Sequence, residues 1–349
     1  MASYSYKSWE TINLPVVSES TYFRILDHQA QHPETETSGV IYDGFIISGY
    51  YIQNLNEILS QYVKPYELYF ASGTLQPDSN AERTFYVYYT RDGWNTTTMD
   101  DITISYDWSY KNSTSDVLSD PIYDLVDVRQ YLLYSFHPIE LPYTFLVRIG
   151  GNLVVDSYNL EYAMNYNYVK KLSDIAQFSG QFSLAYSYSF FVGATDSLPL
   201  EETADLYVGG RKYTMAHTCY RYCLYYINQN GGWDSLLFSG KVMQQDNLSR
   251  LSYKKNYIAG SLDFNKVDYL TTIQEGWQLT TSFLDDQHSD KMINLFASNR
   301  IFLHDLDEDK ITPVNMVSQK CEHKTYKNQG RQLYTYTVEV NSSQPKYRI

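Results

Sequence analysis

The residues best suited to bind a metal are His217, Cys219 and Cys223, which form an H-x-C-x₃-C pattern. Imidazole and thiolate groups are zinc ligands, but no second pair of ligands stands at zinc spacing in this sequence. The pattern falls in a predicted strand, where Cys219 and Cys223 share a face but lie roughly 13 Å apart, too far to bond to each other. We interpret the cysteines as reduced, core-facing thiols, and we predict neither a metal nor a cofactor.

An acidic segment gives a second candidate for a metal site. Asp305, Asp307 and Asp309 match the first ligands of a calcium-binding loop. Lys310 stands where that loop needs its glycine, and the glutamate that should close the loop is missing. We interpret the segment as the solvated tip of a hairpin.

Neighbouring carboxylates could also form the acid–base pair of a glycosidase. The candidates are Asp100/Asp101, Glu201/Glu202 and Asp285/Asp286. These pairs fall in predicted turns or helix starts, where acidic residues are common for structural reasons. The chain has no Gly-x-Ser-x-Gly, P-loop or His-Glu-x-x-His motif. We therefore predict that the protein is not an enzyme, and we name no catalytic residue.

Tyrosine is the dominant aromatic residue, with 37 tyrosines against 15 phenylalanines. Many stand two residues apart in segments of strand character, so that both side chains of a pair project from one face. A tyrosine ring supplies a large apolar area, and its hydroxyl suits a half-wet contact surface. We predict that such pairs form assembly interfaces. The candidates are Tyr86, Tyr88, Tyr186, Tyr188, Tyr220, Tyr222, Tyr334 and Tyr336.

Tryptophan permits an alternative function in binding carbohydrate. Trp94 and Trp277 on a β-sandwich could stack against pyranose rings. A core role competes with this interpretation, because Trp277 follows a glycine at the start of a predicted strand, where a large ring commonly closes the end of a sandwich. Both interpretations stay open at the level of the sequence.

Composition restricts the partners. The formal net charge is −13, and Lys and Arg are not clustered, so we expect no direct binding of nucleic acid. No run of about 18 apolar residues is present, so we expect no membrane span. The N-terminal residues lack the basic and apolar regions of a secretory signal. We predict a protein made in a bacterial cytoplasm whose surface suits extracellular life, as in a virion.

The pattern of the chain predicts a mainly β fold, with two or three antiparallel β-sandwich or barrel domains and one or two short helices. We place an N-terminal arm, a helix and a small β-domain in 1–120, a middle β-domain in 121–212, and a barrel or sandwich with one helix in 213–349. Helices are predicted at 51–63 and 287–298. Strands are predicted at 83–90, 101–110, 143–149, 153–158, 181–192, 204–208, 213–227, 233–242, 277–284, 301–306, 311–317 and 331–340.

Four short segments carry a resemblance to a known group of proteins. They are 225–241 (YYINQNGGWDSLLFSGK), 276–281 (GWQLTT), 303–306 (LHDL) and 311–314 (ITPV). Through them, roughly residues 213–349 resemble structural proteins of tailed phages that infect gut Bacteroidetes, including crAss-like phages. The resemblance implies a virion part in the tail, neck or baseplate that assembles into a symmetric ring, and it supplies no catalytic residue.

Two functional hypotheses follow. In the first, the chain is a structural virion subunit whose partners are copies of itself in a homo-oligomeric ring and other virion proteins. In the second, it is a carbohydrate-binding or receptor-binding adhesin on the virion or the cell surface.

Overall fold

The predicted β architecture is confirmed: the chain is mainly β, with several antiparallel sheets, and the described residues contain one complete short helix. We describe it from a computed structural model. The described residues are 2–7, 14–15, 22–26, 40–43, 46–47, 50–51, 59, 68–78, 82–90, 100–107, 125–136, 143–149, 154–161, 164–174, 190–194, 206–208, 211–215, 220–228, 231–256, 259–260, 266–281, 284, 286–318 and 335–348.

The described residues of the first third of the chain form nine strands: β1 (Ala2–Lys7), β2 (Leu14–Pro15), β3 (Tyr22–Leu26), β4 (Val40–Asp43), β5 (Ile46–Ile47), β6 (Tyr50–Tyr51), β7 (Thr74–Asp78), β8 (Glu82–Thr90) and β9 (Asp100–Asp107). Five of them form a sheet in the order β1-β9-β8-β3-β4, in which only the β1–β9 pairing is parallel. The predicted strands at 83–90 and 101–110 correspond to β8 and β9. Of the helix predicted at 51–63, Tyr51 lies in β6 and Leu59 is helical and buried. The rest of that segment lies outside the described residues.

The middle of the chain contributes β10 (Leu125–Val126), β11 (Tyr131–Phe136), β12 (Tyr143–Ile149), β13 (Val154–Leu160), β14 (Asn165–Lys171), a 3₁₀ turn (Leu172–Asp174), β15 (Phe190–Ala194), β16 (Leu206–Val208) and β17 (Arg211–Met215). The predicted hairpin strands at 143–149 and 153–158 are confirmed as β12 and β13, which pair antiparallel. β7 pairs with β14, and β10 pairs with β17. Sheets therefore join residues on both sides of 120/121 and 212/213, and those domain boundaries stay predictions.

The C-terminal part contains β18 (Tyr222–Ile227), β19 (Trp233–Phe238), β20 (Val242–Lys254), β21 (Lys266–Thr280), α1 (Asp286–Ala297), β22 (Ile301–Asp305), β23 (Lys310–Met316), β24 (Thr337–Ser342) and β25 (Lys346–Arg348). The eight strands β18–β25 form one large antiparallel sheet in the order β19-β18-β22-β23-β24-β21-β20, and β25 pairs with β21. The helix predicted at 287–298 is confirmed as α1 within one residue at each end.

Strand β18, the second strand of the large sheet, is buried on both faces, because its alternating side chains enter two different cores. One set packs in the helix-side core, which includes Met292 and Leu295 of α1: these are Tyr222, Leu224 and Tyr226. The other set packs in the sheet-side core, which includes Leu133 of β11 and Val169 of β14: these are Cys223, Tyr225 and Ile227. The large sheet therefore lies between α1 and the β11-β14-β7 sheet.

Two predicted strands are interrupted in the structure. The strand predicted at 213–227 is divided into β17 and β18, because β17 pairs with β10 and β16 whereas β18 pairs with β19 and β22. The strand predicted at 233–242 ends at Phe238. At Gly240 a side chain would lie 2.7 Å from the carbonyl oxygen of Thr280, so the chain turns at the one residue type that allows this approach.

The predicted turn at 228–232 is confirmed. The Gly231 N–H donates to the Asn228 carbonyl at 3.1 Å, and the Asn228 side-chain oxygen accepts from the Gly232 N–H at 3.0 Å. Gly231 has a φ of 79°, a left-handed conformation that glycine adopts without steric cost. This turn fixes the register of β18 with β19.

Candidate assembly surface

The hairpin formed by β20 and β21 is a prominent surface feature of the described residues. The two strands pair antiparallel along their whole length, from Val242 opposite Leu279 to Lys254 opposite Lys266. On its other side, β21 pairs with β24 through 276–280 and with β25 through 271–273. Within the described chain, residues 266–270 pair only with β20. We call 251–254 together with 266–270 the distal ribbon, a two-stranded extension beyond the sheet.

A β-bulge shapes the distal ribbon. Leu251 lies opposite Leu270 and Ser252 lies opposite Asp268, so Tyr269 is an extra residue in β21. An extra residue bends and twists its strand and changes the direction of nearby side chains. The bulge brings Tyr269 beside Tyr253, with ring centroids 6.2 Å apart.

The distal ribbon exposes large apolar side chains. Leu251, Tyr253 and Tyr269 are 50%, 48% and 51% exposed. Tyr347 of β25 is also exposed, and it lies opposite Thr272, two residues from Leu270 on the same face. Clusters of large exposed apolar side chains mark interaction sites in soluble proteins. The structure therefore presents tyrosine on an open β surface, as the composition predicts, but at residues that the sequence did not single out.

The charge of this region differs in sign from that of the whole chain. Lys254, Lys255 and Lys266 are exposed at the ribbon end, and Asp268 is the nearest described carboxylate in the ladder. Asp268 receives only a long contact, 3.7 Å from Arg250. A basic extension on a chain of net charge −13 favours contact with acidic protein surfaces.

A polar cleft of about 220 Å³ lies at the base of the hairpin. Its lining includes half-buried Trp277, which also packs against the helix-side core. Ion pairs hold two of the acidic groups in the lining: Arg221 with Asp305 at 3.0 Å, and Lys346 with Glu275. An aromatic ring beside paired polar groups is an arrangement that can orient a polar ligand.

Comparison with protein-family models, with curated proteins and with solved structures found no match for this chain. The resemblance to phage structural proteins therefore stays a prediction. In the part of the chain that the structure describes, no helix has the length and apolar character that crossing a membrane requires.

Three of the predicted interface tyrosines are core residues. Tyr88, Tyr222 and Tyr336 are only 5%, 4% and 5% exposed. Tyr222 and Tyr336 pack in the helix-side core, and Tyr88 lies on β8, in the interior of its sheet. Burial within the single chain leaves these three rings little area for contact with another subunit, and Tyr222 and Tyr336 are packed by the other residues of the helix-side core.

The other predicted site residues divide into two groups. Tyr86 and Tyr220 are half-buried, and their interface role stays a prediction. The remainder lie outside the described residues: Tyr186, Tyr188, Tyr334 and Trp94. Trp277 is the one residue of the carbohydrate hypothesis that the structure places in a cleft.

The possible metal ligands do not converge in the described residues, where no cluster of three or more such side chains occurs. His217 and Cys219 lie outside those residues. Cys223 is a buried free thiol, and burial raises its pKa far above the ordinary value, which leaves it protonated and inert. The sheet-side core therefore holds this cysteine as a packing residue, as predicted for Cys223.

The acidic segment is the tip of the β22–β23 hairpin, as predicted. Its carboxylates bind cations from other elements: Asp307 accepts from Arg129 at 2.6 Å, and Asp305 accepts from Arg221 at 3.0 Å. Burial alone would raise the pKa of Asp305, but hydrogen bonds from Arg221 and from two backbone N–H groups lower it below the ordinary value. The turn therefore anchors the sheet-side core by ion pairs.

The sequence pattern does not indicate the β20–β21 hairpin as a functional element. It predicts one strand at 277–284 and no element at 243–276. The sequence does carry a signal for this hairpin: leucine and tyrosine recur in LSRLSYK and VDYLTTI. These residues do not alternate strictly with polar residues, as they would in a half-buried strand. Both faces of the distal ribbon are open to solvent, so a pattern that looks for a buried face does not detect it.

Proposed function

We propose that this protein is a non-enzymatic structural subunit of a bacteriophage virion that assembles into a ring in the tail, neck or baseplate. The observation that carries the proposal is the distal ribbon, which extends beyond the sheet with Leu251, Tyr253 and Tyr269 half exposed. The resemblance over roughly 213–349 supports the virion setting. The contact role assigned to tyrosine is retained, with the tyrosines of the ribbon as the contact residues.

A partner surface would add to the stability of the distal ribbon. An isolated two-stranded hairpin is marginally stable in water, because it has no sheet or helix on which to bury a face. Covering the exposed half of one tyrosine contributes about 2 kcal/mol before the costs of ordering and desolvation. A partner surface that covers Tyr253, Tyr269 and Leu251 therefore stabilises both the ribbon and the contact.

The test is to replace Tyr253 and Tyr269 by serine in one variant. We expect this variant to lose assembly, measured by sedimentation velocity and by co-sedimentation with virion proteins. Its thermal unfolding should remain close to that of the wild type, because both rings are exposed in the single chain. Tyr69→Ser is the matched control, since Tyr69 is exposed outside the ribbon.

The virion setting has its own test. Mass spectrometry of virions purified from a phage that encodes this chain should detect it at a fixed ratio to the other structural proteins. A chain that is absent from such particles, and that is monomeric at high micromolar concentration, contradicts the proposal.

The polar cleft favours a second candidate function, the binding of carbohydrate by a virion or cell-surface adhesin. Trp277 supplies an aromatic surface, and the paired carboxylates Glu275 and Asp305 supply hydrogen-bond acceptors for sugar hydroxyls. Glycan-array binding that Trp277→Ala abolishes with an unchanged circular dichroism spectrum supports this function. Trp94→Ala tests the second predicted residue, and an array without any signal excludes the candidate.

A further inference from the structure

We propose that β20 pairs antiparallel with β20 of a second copy of this chain, about a two-fold axis at Leu248. The inference rests on the proposed assembly function, and it names both the partner and the contact. A two-fold contact closes a pair of subunits, so a ring built from such pairs needs a further surface, for which the distal ribbon is available.

Strand β20 is an open edge of the large sheet. It is the last strand of the large sheet, and within the described chain it pairs only with β21. All residues from 244 to 251 are exposed. An edge strand directs a row of N–H and C=O groups outward, and native proteins usually shorten, cover or interrupt such an edge. This one has 13 residues and no proline, so it is suited to pairing with another strand.

The charges of β20 are complementary to those of a second β20 in one antiparallel register. With the axis at Leu248, Asp246 lies opposite the partner's Arg250, and by symmetry the same pair forms twice. Leu248 then lies opposite the partner's Leu248, which covers a side chain that is exposed in the single chain. Cross-strand pairs of opposite charge and of apolar residues stabilise antiparallel sheets.

The neighbouring registers on the same face are disfavoured. An axis at Arg250 places Arg250 opposite the partner's Arg250, and an axis at Asp246 places two aspartates opposite each other. Like charges directly opposite are destabilising. An axis at Arg250 also places Asp246 opposite the partner's Lys254, but it keeps the two arginines opposite each other at its centre. Among these three pairings, the axis at Leu248 alone joins opposite charges of β20 without a pair of like charges, so charge complementarity favours this partner and this register.

Asp246 faces a like charge within its own chain. On β21 it lies opposite Glu275, whose own ion pair is with Lys346. Arg250 has only the 3.7 Å contact with Asp268 and is exposed. In the proposed contact, a second β20 places an arginine opposite Asp246 and an aspartate opposite Arg250. The single chain places Glu275 opposite Asp246 and gives Arg250 only its long contact with Asp268.

The same register also covers part of the exposed aromatic surface. Met243 lies opposite the partner's Tyr253, and methionine sulfur makes favourable contacts with aromatic rings. Tyr253 is half exposed in the single chain. The contact therefore combines a backbone ladder with an apolar centre, one ion pair on each side and a sulfur–aromatic contact at each end.

The test uses Asp246→Arg and Arg250→Asp, studied by sedimentation equilibrium of the full chain. Each variant places two pairs of like charges in the contact, so we expect self-association about ten-fold or more weaker than in the wild type. A mixture of the two variants restores both ion pairs across a heterodimer and should recover wild-type affinity. The double variant D246R/R250D should self-associate like the wild type. Lys266→Glu is the control, since it changes charge at the ribbon end away from the edge.

The outcomes separate this inference from the proposed function. Wild-type protein that stays monomeric at all accessible concentrations, or single variants whose mixture does not recover, overturns the β20 contact. If the charge variants enter virions and associate like the wild type while the Tyr253/Tyr269 variant does not, the assembly function stands and this contact is wrong. Should a charge reversal prevent folding, Asp246→Asn and Arg250→Gln replace it, with about three-fold weakening expected.

Discussion

The hydroxyl of Tyr225 lies 3.1 Å from Nδ1 of His304, and both side chains are buried where the large sheet meets the β11-β14-β7 sheet. The Tyr131 N–H donates to the same hydroxyl at 2.8 Å. On the other side of the imidazole, Nε2 lies 3.1 Å from a carboxylate oxygen of Asp309. All three hydrogen bonds form together only if the Tyr225 hydroxyl donates to Nδ1 of His304 and the neutral imidazole donates from Nε2 to Asp309.

We expect Tyr225→Phe to lower the free energy of unfolding by about 1–3 kcal/mol, because it leaves the Tyr131 N–H and His304 Nδ1 buried without their partner. Urea unfolding measures the change. Tyr347→Phe is the control: its ring is exposed, so its effect should stay within about 0.5 kcal/mol. Equal effects of the two substitutions would show that the buried network does not contribute.

We expect acid to destabilise the fold through His304. Burial lowers its pKa below the ordinary value of 6.5, and this effect outweighs the opposing attraction of Asp309. As pH falls below about 6.5, the unfolded chain binds a proton that the folded chain does not, so stability decreases until the lowered pKa is reached. The slope is at most about 1.4 kcal/mol per pH unit, since one proton is involved.

The measurement for His304 is urea unfolding at a series of pH values from about 8 to about 5. His304→Gln removes the titrating group, so its stability should change less with pH across this window. Asp305 and Asp309 also have a lowered pKa, with an ordinary value of 3.8, so their stabilising contributions are lost mainly below this window. A variant with the same pH dependence as the wild type would exclude His304 as the cause.

The sequence predicted the elements whose patterns are local. The β18–β19 hairpin follows from the glycine-bearing turn at 228–232, and α1 follows from the acidic pair Asp285/Asp286, which favours the positive end of a helix dipole. The same local reasoning joined β17 to β18, because strand propensity is continuous there and only the pairing partners differ.

The candidate site depended on information that a local pattern does not contain. Tyr222 and Tyr253 both stand in segments of strand character. Tyr222 is covered by α1 and its neighbours, whereas Tyr253 lies in the exposed distal ribbon. Which face of a strand is covered depends on the packing of distant elements, so the sequence predicted tyrosine contacts and selected several tyrosines that belong to the core.

We expect Gly231→Ala to lower the free energy of unfolding by about 1–2 kcal/mol, since its φ of 79° forces a β-carbon against the backbone. Thermal or denaturant unfolding measures the change. Gly231→Asn is the matched variant, because asparagine tolerates the left-handed region better, and it should lose less stability. If both variants lose the same amount, the cause lies in packing and not in the backbone conformation.

We expect Gly276→Ala to disturb the base of the β20–β21 hairpin. A β-carbon at Gly276 would lie 2.9 Å from the carbonyl oxygen of Gln245 and 2.6 Å from the Asn341 side chain. The asparagine can move, but the Gln245 oxygen belongs to the backbone of β20, so the strand pair must separate, at a cost of about 1–3 kcal/mol. Amide hydrogen exchange should therefore quicken in β20, and the second substitution Asn341→Ala should recover only part of the loss.

Because β20 is also the edge proposed to pair with a second copy, Gly276→Ala should weaken self-association as well as folding. A variant that unfolds like the wild type and keeps slow exchange in β20 would show that the hairpin base accommodates the methyl group.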